Sequence, residues 1–461
     1  MRRYSGWRSF TVACQLVLLS VVLLDRSLSV SAELMMYFVD LILVTACFRT
    51  ILKEGNWFLD LGFVVLFLYS AYYPLTVYAV RLGGFGDLAQ DFLQLQMGYS
   101  LLFIATFSLA YVATLDRGRI ILLERRTGLF ARHYSNALLV PLIIAPSFIQ
   151  IVILWATVGP HFQYLQAYTA SFALKASGLN IINQILNVVT ALSGAALVVF
   201  FFKEVARERY RHCVVVLIGF LVVSAYIGAR SIFLAPLITF IVVYGRYEPI
   251  RITARRVLLL VLTVAFYVVV GSTRNSATQG PAFDVFSFFG EQFLVLTNGL
   301  QFFGRARSAF ARPEMNTYLN DFLRVIPNYV HSTGMDVSQW YMKTFFRRAY
   351  EGGSGRAFGF NTEAMINFGR MSIVFQSLAL GLLFGALGRA KVRTKTRREY
   401  LEVLKILLVV YAYFVVRVTT FSLTPLITST LVAFLIIRFS NAILSAASAP
   451  VPDTLPSGTR A

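Results

Sequence analysis

Arg230 and Arg417 stand where apolar runs give way to short connections, Arg274 where one opens into a long polar interval, and a fourth, Arg356, lies in the glycine-rich stretch Gly352-Gly353-Ser354-Gly355-Arg356-Ala357-Phe358-Gly359. A guanidinium in or near hydrocarbon is costly unless it meets an anion or water. Its planar fork suits phosphate oxygens, which it grips through two parallel N–H groups. Gly353 and Gly355 let a backbone come close to such an anion and turn its N–H groups toward it. Glu363 follows the glycines and is the first candidate for a base that takes a proton from a hydroxyl, with His331 and Glu291 as weaker ones. The chemistry these types suggest is group transfer from an anionic leaving group, with cations meeting the charge that develops. Each residue also has a plainer reading. The arginines snorkel to lipid phosphates or cap helix C-termini, and the glycines form a flexible link. Glu363 is then a carboxylate at a helix N-terminus with Asn361 or Thr362 as its cap, and His331 a solvated loop residue that otherwise contacts substrate.

The elements that must position these residues lie in a membrane. A chain that is 57% hydrophobic and 14% charged, with a mean hydropathy of +0.68, is not a soluble protein of 461 residues. Crossing a hydrocarbon core of roughly 30 Å takes about 20 apolar residues as a helix. The sequence predicts an all-α polytopic membrane protein with about 12 transmembrane helices. They fall at Phe10 to Leu24, Glu33 to Phe48, Trp57 to Val80, Gly98 to Leu115, Ala137 to Val158, Ile181 to Phe202, Cys213 to Ala229, Ser231 to Gly245, Val257 to Gly271, Phe368 to Gly388, Leu401 to Val416 and Thr419 to Ile437. Between the ninth and tenth lies one long polar interval. The domains expected are 1–271 for spans one to nine, 272–367 for the large loop with short helices, 368–437 for spans ten to twelve, and a disordered cytoplasmic tail at 438–461.

Basic residues of short loops stay on the cytoplasmic side. The clusters Arg117 to Arg132, Lys203 to Arg211, Arg246 to Arg256 and Arg389 to Arg398, like Arg49 with Lys53, all follow even-numbered spans. Both termini are then cytoplasmic and the large loop faces outward, as do Arg230 and Arg417 in their tight connections and Arg274 at the start of the loop. Because the excess of 42 basic over 22 acidic residues is mostly topological, nucleic acid is not an expected partner. Charges Arg2, Arg3 and Arg8 before the first span resemble a signal peptide, but Asp25-Arg26 and a second span follow too closely, so it reads as a retained anchor.

Cys14, Cys47 and Cys213 show neither disulfide nor zinc spacing, and no Asp-x-Asp pair points to a metal-held nucleotide sugar, so no metal or cofactor is expected. In the loop, Phe283 to Phe303 has near-helical apolar spacing suited to a membrane surface. Tyr318, Tyr329, Trp340, Tyr341 and Tyr350 offer either sugar-stacking faces or ordinary core.

The segment Gly352 to Gly359, the following Glu363, Asn367-Phe368-Gly369 at the mouth of the next span and Ile326-Pro327 upstream, set in many spans with one large outer loop, resemble the Wzy-type O-antigen polymerases, the oligosaccharide repeat-unit polymerases of bacterial inner membranes. The resemblance covers the architecture of the whole chain and the pattern of about a hundred residues. It implies a membrane glycosyltransferase, active on the periplasmic side, that joins repeat units carried on undecaprenyl pyrophosphate. The expected partners are those lipid-linked glycans, the lipid bilayer and a chain-length regulator. Glu363, Arg274 and Arg356 take the catalytic places, and Arg230, Arg417, Gly353, Gly355 and His331 the substrate-binding ones. A ligase or a polyprenyl-phosphate-dependent glycosyltransferase, with Asp25 or Glu33 as its acid, and a lipid-linked glycan flippase are the alternatives.

Overall fold

The computed structural model describes residues 9–18, 30–51, 57–73, 87–114, 134–158, 180–227, 231–250, 359–389, 394–417 and 423–447, with Phe130, Gly299, Tyr341 and a few other isolated positions. All regular structure among the described residues is helical. The helices are α1 (Ser9–Leu18), α2 (Val30–Ile51), α3 (Leu61–Tyr72), α4 (Asp87–Thr114), α5 (Asn136–Val158), α6 (Asn180–Ala206), α7 (Tyr210–Ile227), α8 (Ser231–Tyr247), α9 (Gly359–Asn367), α10 (Arg370–Arg389), α11 (Lys395–Arg417) and α12 (Leu423–Ala447). Every expected span falls at least partly on a helix except Val257 to Gly271, of which only Leu258 is among the described residues. Among the described residues, five stretches are long and apolar enough to cross a membrane: Phe92–Thr114, Asn136–Ile153, Val188–Ala206, Tyr210–Ile227 and Arg370–Gly388.

Packing without a hydrophobic drive between helices relies on close backbone approach through small residues. The seam between α4 and α10 is built this way. Ser377, Gly381 and Gly385 recur every fourth residue on one face of α10, and the Thr106 and Ser377 hydroxyls bond each other across the seam. A Cβ on Gly381 would lie 2.7 Å from the Phe107 carbonyl oxygen and 2.7 Å from Ala110 Cβ, and one on Gly385 would overlap the Thr114 hydroxyl. Gly381→Leu is therefore expected to force the two helices apart and cost about 1–3 kcal/mol or more. A lower unfolding temperature of the purified protein in detergent checks it.

Contacts between helices fix two ends of the bundle. At one end Asp60 caps α3 and accepts a hydrogen bond from the Tyr111 hydroxyl at the end of α4 (2.6 Å). Arg246, ending α8, lies 3.8 Å from Glu402 at the start of α11 and close enough to Asp60 to act on it. The same end holds a buried polar network. Lys203 donates to the Tyr134 carbonyl (2.6 Å) and to Asn136 Oδ1 (2.7 Å), His212 pairs with Glu204 (2.6 Å), and the Tyr134 hydroxyl reaches Glu399 (3.2 Å). Burial, and then Glu399, push the Tyr134 phenol above its ordinary range, so it stays a donor. Among the described residues, the basic positions Lys203 to Arg211, Arg246, Arg397 and Arg398 lie at this end. The tight turn of 207–209 between α6 and α7 forms the short basic hairpin that the sequence predicts.

Candidate functional site

At the opposite end the chain re-enters the bundle as α9. This nine-residue helix carries Asn361, Thr362 and Glu363, and all three are buried. So short a helix does not hold itself together in water, and its stability comes from packing. Gly359 opens it with φ +73, a conformation open chiefly to glycine. The Phe360 N–H donates to the Tyr73 hydroxyl (2.5 Å), and that hydroxyl donates onward to the Val416 carbonyl (2.9 Å). One phenol therefore ties the start of α9 to the end of α3 and to the last turn of α11. The Tyr69 hydroxyl donates to Asn361 Oδ1 (2.5 Å), and Asn361 Nδ2 reaches Ser100 of α4 (3.5 Å). The Phe360 ring meets Tyr69 and Phe103 edge-on, at centroid distances of 6.2 and 4.9 Å.

These bonds correct the plainer reading of this segment. Asn361 and Thr362 sit inside the helix rather than at its cap, and Asn361 spends its amide on α3 and α4. Glu363 lies in the helix middle, 3% exposed and close enough to Tyr73 to act on it electrostatically. Asn367 Nδ2 donates to the Glu363 carbonyl (2.8 Å), and Gly369, at φ +58, sends its N–H back to the Ala364 carbonyl (2.8 Å). The left-handed turn at Gly369 breaks the chain direction between α9 and α10. The tenth span accordingly starts at Arg370 rather than at Phe368. Gly299, from the apolar-spaced part of the long interval, lies against Thr362: a Cβ there would come 2.6 Å from its hydroxyl.

Of the residues singled out in the sequence, Glu363 is buried in α9 at this end, and Arg417 closes α11 directly after Val416, the residue that Tyr73 binds. The Arg246–Glu402 contact sets α8 against α11 in antiparallel register. Equal steps away from that contact, back along α8 and forward along α11, about 22 Å at 1.5 Å per residue, bring Ser231 and Arg417 to one height. Arg230, Arg274, Arg356, Gly353, Gly355, His331 and Glu291 lie outside the described residues, as do Asp25 and the side chains of Glu33 and Arg417. Of the loop aromatics, Tyr341 is fully buried, the core alternative of its two readings.

Three contributors escape a reading of the sequence alone. Arg370 falls inside an expected span, yet it begins α10 beside Tyr99, near enough to act on that hydroxyl, at the same end as Glu363. A Cβ on Gly369 would approach the Tyr99 hydroxyl to 3.3 Å, so the turn, the tyrosine and the arginine form one corner. Tyr69 and Tyr73 read locally as membrane-interface aromatics, and only their bonds to residues almost 300 positions away show otherwise.

The family model for the O-antigen polysaccharide polymerase Wzy matches residues 130–445. The chain belongs to that family. No curated protein and no solved structure matches it. Membership of the Wzy family makes this an integral membrane protein of polysaccharide biosynthesis with an O-antigen polymerase role and glycosyltransferase-like chemistry. The match takes in α5 to α12, and with them Glu363, Gly369 and Arg370. Tyr69, Tyr73 and Ser100 come from α3 and α4, which precede it.

Tyr73→Phe is expected to leave the Phe360 N–H and the Val416 carbonyl without their shared partner, at a cost of about 1–3 kcal/mol. Hydrogen exchange should then accelerate at the first turn of α9 while α6 stays protected, and polymer output should fall. Unchanged exchange at Phe360 would show that the hydroxyl does not hold the helix.

Proposed function

We propose that this chain joins oligosaccharide repeat units carried on undecaprenyl pyrophosphate, transferring the lipid-linked growing chain to an incoming lipid-linked unit at the periplasmic face of the bacterial inner membrane. The observation that carries this reading is the burial of Glu363 in a helix tied to α3, α4 and α11, at the end of the bundle away from the basic loops. If those loops are cytoplasmic, that end is periplasmic, both termini are inside, and the twelve-span plan holds with 272–367 as the outer loop.

In the transfer, an acceptor hydroxyl attacks the anomeric carbon of the donor sugar and gives its proton to the Glu363 carboxylate. The bond from that carbon to the pyrophosphate oxygen breaks, and the electron pair leaves with the lipid pyrophosphate. Cations aimed at the growing negative charge supply the main stabilisation. Arg417, with Arg230, Arg274 and Arg356, fills that role, Gly353 and Gly355 present backbone N–H groups, and His331 contacts the glycan. The scheme uses no metal ion. A chain-length regulator is the protein partner expected beside it.

The test incubates purified protein with defined undecaprenyl-pyrophosphate repeat units and resolves the products on a gel. A ladder of increasing length supports the polymerase reading. Transfer of a single unit to another acceptor, with no ladder, replaces it with a ligase. In cells, deletion should leave one repeat unit displayed; loss of all display rejects the reading.

A further inference from the structure

A second buried polar cluster lies apart from α9, where α1, α2 and α3 meet. Gln15 and Tyr37 are fully buried and Asp40 is 4% exposed, within apolar stretches of α1 and α2. Gln15 Nε2 donates to Asp40 Oδ1. Three polar atoms there are buried without a hydrogen bond: Gln15 Oε1, Asp40 Oδ2 and the Tyr37 hydroxyl. Tyr37 and Asp40 are one helical turn apart on one face, and the Ser70 hydroxyl stands beside Tyr37. Ser70 gives its proton to the Leu66 carbonyl of its own helix (2.6 Å), so toward the cluster it only accepts.

Each orphaned buried polar atom costs about 1–3 kcal/mol, and folded proteins leave few of them. Three such atoms, contributed by two helices and bordered by a third, supply the two to four polar partners that a buried water takes. We propose that Gln15, Tyr37, Asp40 and Ser70 enclose a buried water that exchanges a proton with the Asp40 carboxyl, and that this internal proton site sets how firmly α9 is held during polymerisation.

The hydrogen-bond accounting closes in both protonation states. With Asp40 ionised, the water accepts from the Tyr37 hydroxyl and donates to Asp40 Oδ2 and Gln15 Oε1. With the proton on Oδ2, the water accepts from Asp40 and Tyr37 and donates to Gln15 Oε1 and Ser70 Oγ. A site that satisfies both forms by turning one water holds or releases a proton without leaving a group orphaned. Ionisable groups inside membranes mark such proton positions. The titratable neighbour is Tyr37 on the same helix, which in turn acts on Tyr69 of α3. Gln15 faces Asp40 from α1, and no charged side chain among the described residues of α1, α3 or α4 acts on it. The link to α9 runs through α3, where Ser70 borders the water and the adjacent Tyr69 holds Asn361. That second half rests on the polymerase reading; the proton site itself does not.

Infrared difference spectroscopy on the full chain in liposomes, titrated from alkaline to acidic pH, tests the site without any glycan. A protonated-carboxyl band should grow on acidification, shift in heavy water and be missing from Asp40→Asn. Identical spectra for the wild type and Asp40→Asn overturn the proposal. If Asp40→Asn does not insert, Tyr37→Phe removes one partner of the water and should move the midpoint of the band; an unmoved midpoint overturns it equally. For the link, Asp40→Asn should polymerise lipid-linked units about tenfold more slowly with a flattened pH profile. A rate and pH profile like the wild type would break the link to α9, and failure of the wild type itself to polymerise would count against the polymerase reading alone.

Discussion

Glu363→Gln is expected to bind lipid-linked repeat units as the wild type does and to turn them over about 10²–10⁴-fold more slowly, the usual span for removal of a general base. Glutamine keeps the shape of the side chain and its place in α9, so the packing of Phe360 and the bonds of Asn361 to Tyr69 and Ser100 survive. What disappears is the ability to take a proton from the acceptor hydroxyl. Binding measured on immobilised protein, set beside single-turnover product formation, separates the two. A variant that elongates at the wild-type rate would remove Glu363 as base and return it to a buried structural carboxylate.

Arg417→Ala carries the second large effect. The residue ends α11 one position after the carbonyl that Tyr73 binds, at the height of the α9 entrance. Loss of one preorganised cation from a site of developing charge costs about 10²–10³ in turnover. Arg417→Lys is expected to recover little of it, because an ammonium replaces a two-pronged fork with a point charge. Membrane insertion and the unfolding temperature should stay near wild type for both variants. Normal polymer from Arg417→Ala would place the leaving group elsewhere.

The apolar runs told most of the helix plan in advance, because a membrane helix must be apolar over nearly its whole length. Glu363 also stands out in the sequence, as a carboxylate between a glycine stretch and an apolar run. Its setting does not. Asn361, Thr362 and Glu363 read locally as a polar loop approaching a helix cap, and their partners Tyr69, Tyr73 and Ser100 lie more than 250 residues earlier. No local pattern encodes a bond over that separation. Arg370 was hidden for a different reason. The hydropathy of its neighbours carries the expected span past it, and only the left-handed turn at Gly369 reveals that a new helix starts there. The small-residue row Ser377, Gly381 and Gly385 gives no hydropathy signal at all, since what matters is the missing bulk between two backbones.

The short helix bearing Glu363 is pinned at its entrance by a phenol shared with two long helices, and at its exit by a turn fused to a rod locked against α4. A carboxylate mounted so firmly has no swinging arm. If Glu363 is the base proposed above, the elongating glycan, rather than the protein, advances by one repeat between successive bond-forming events.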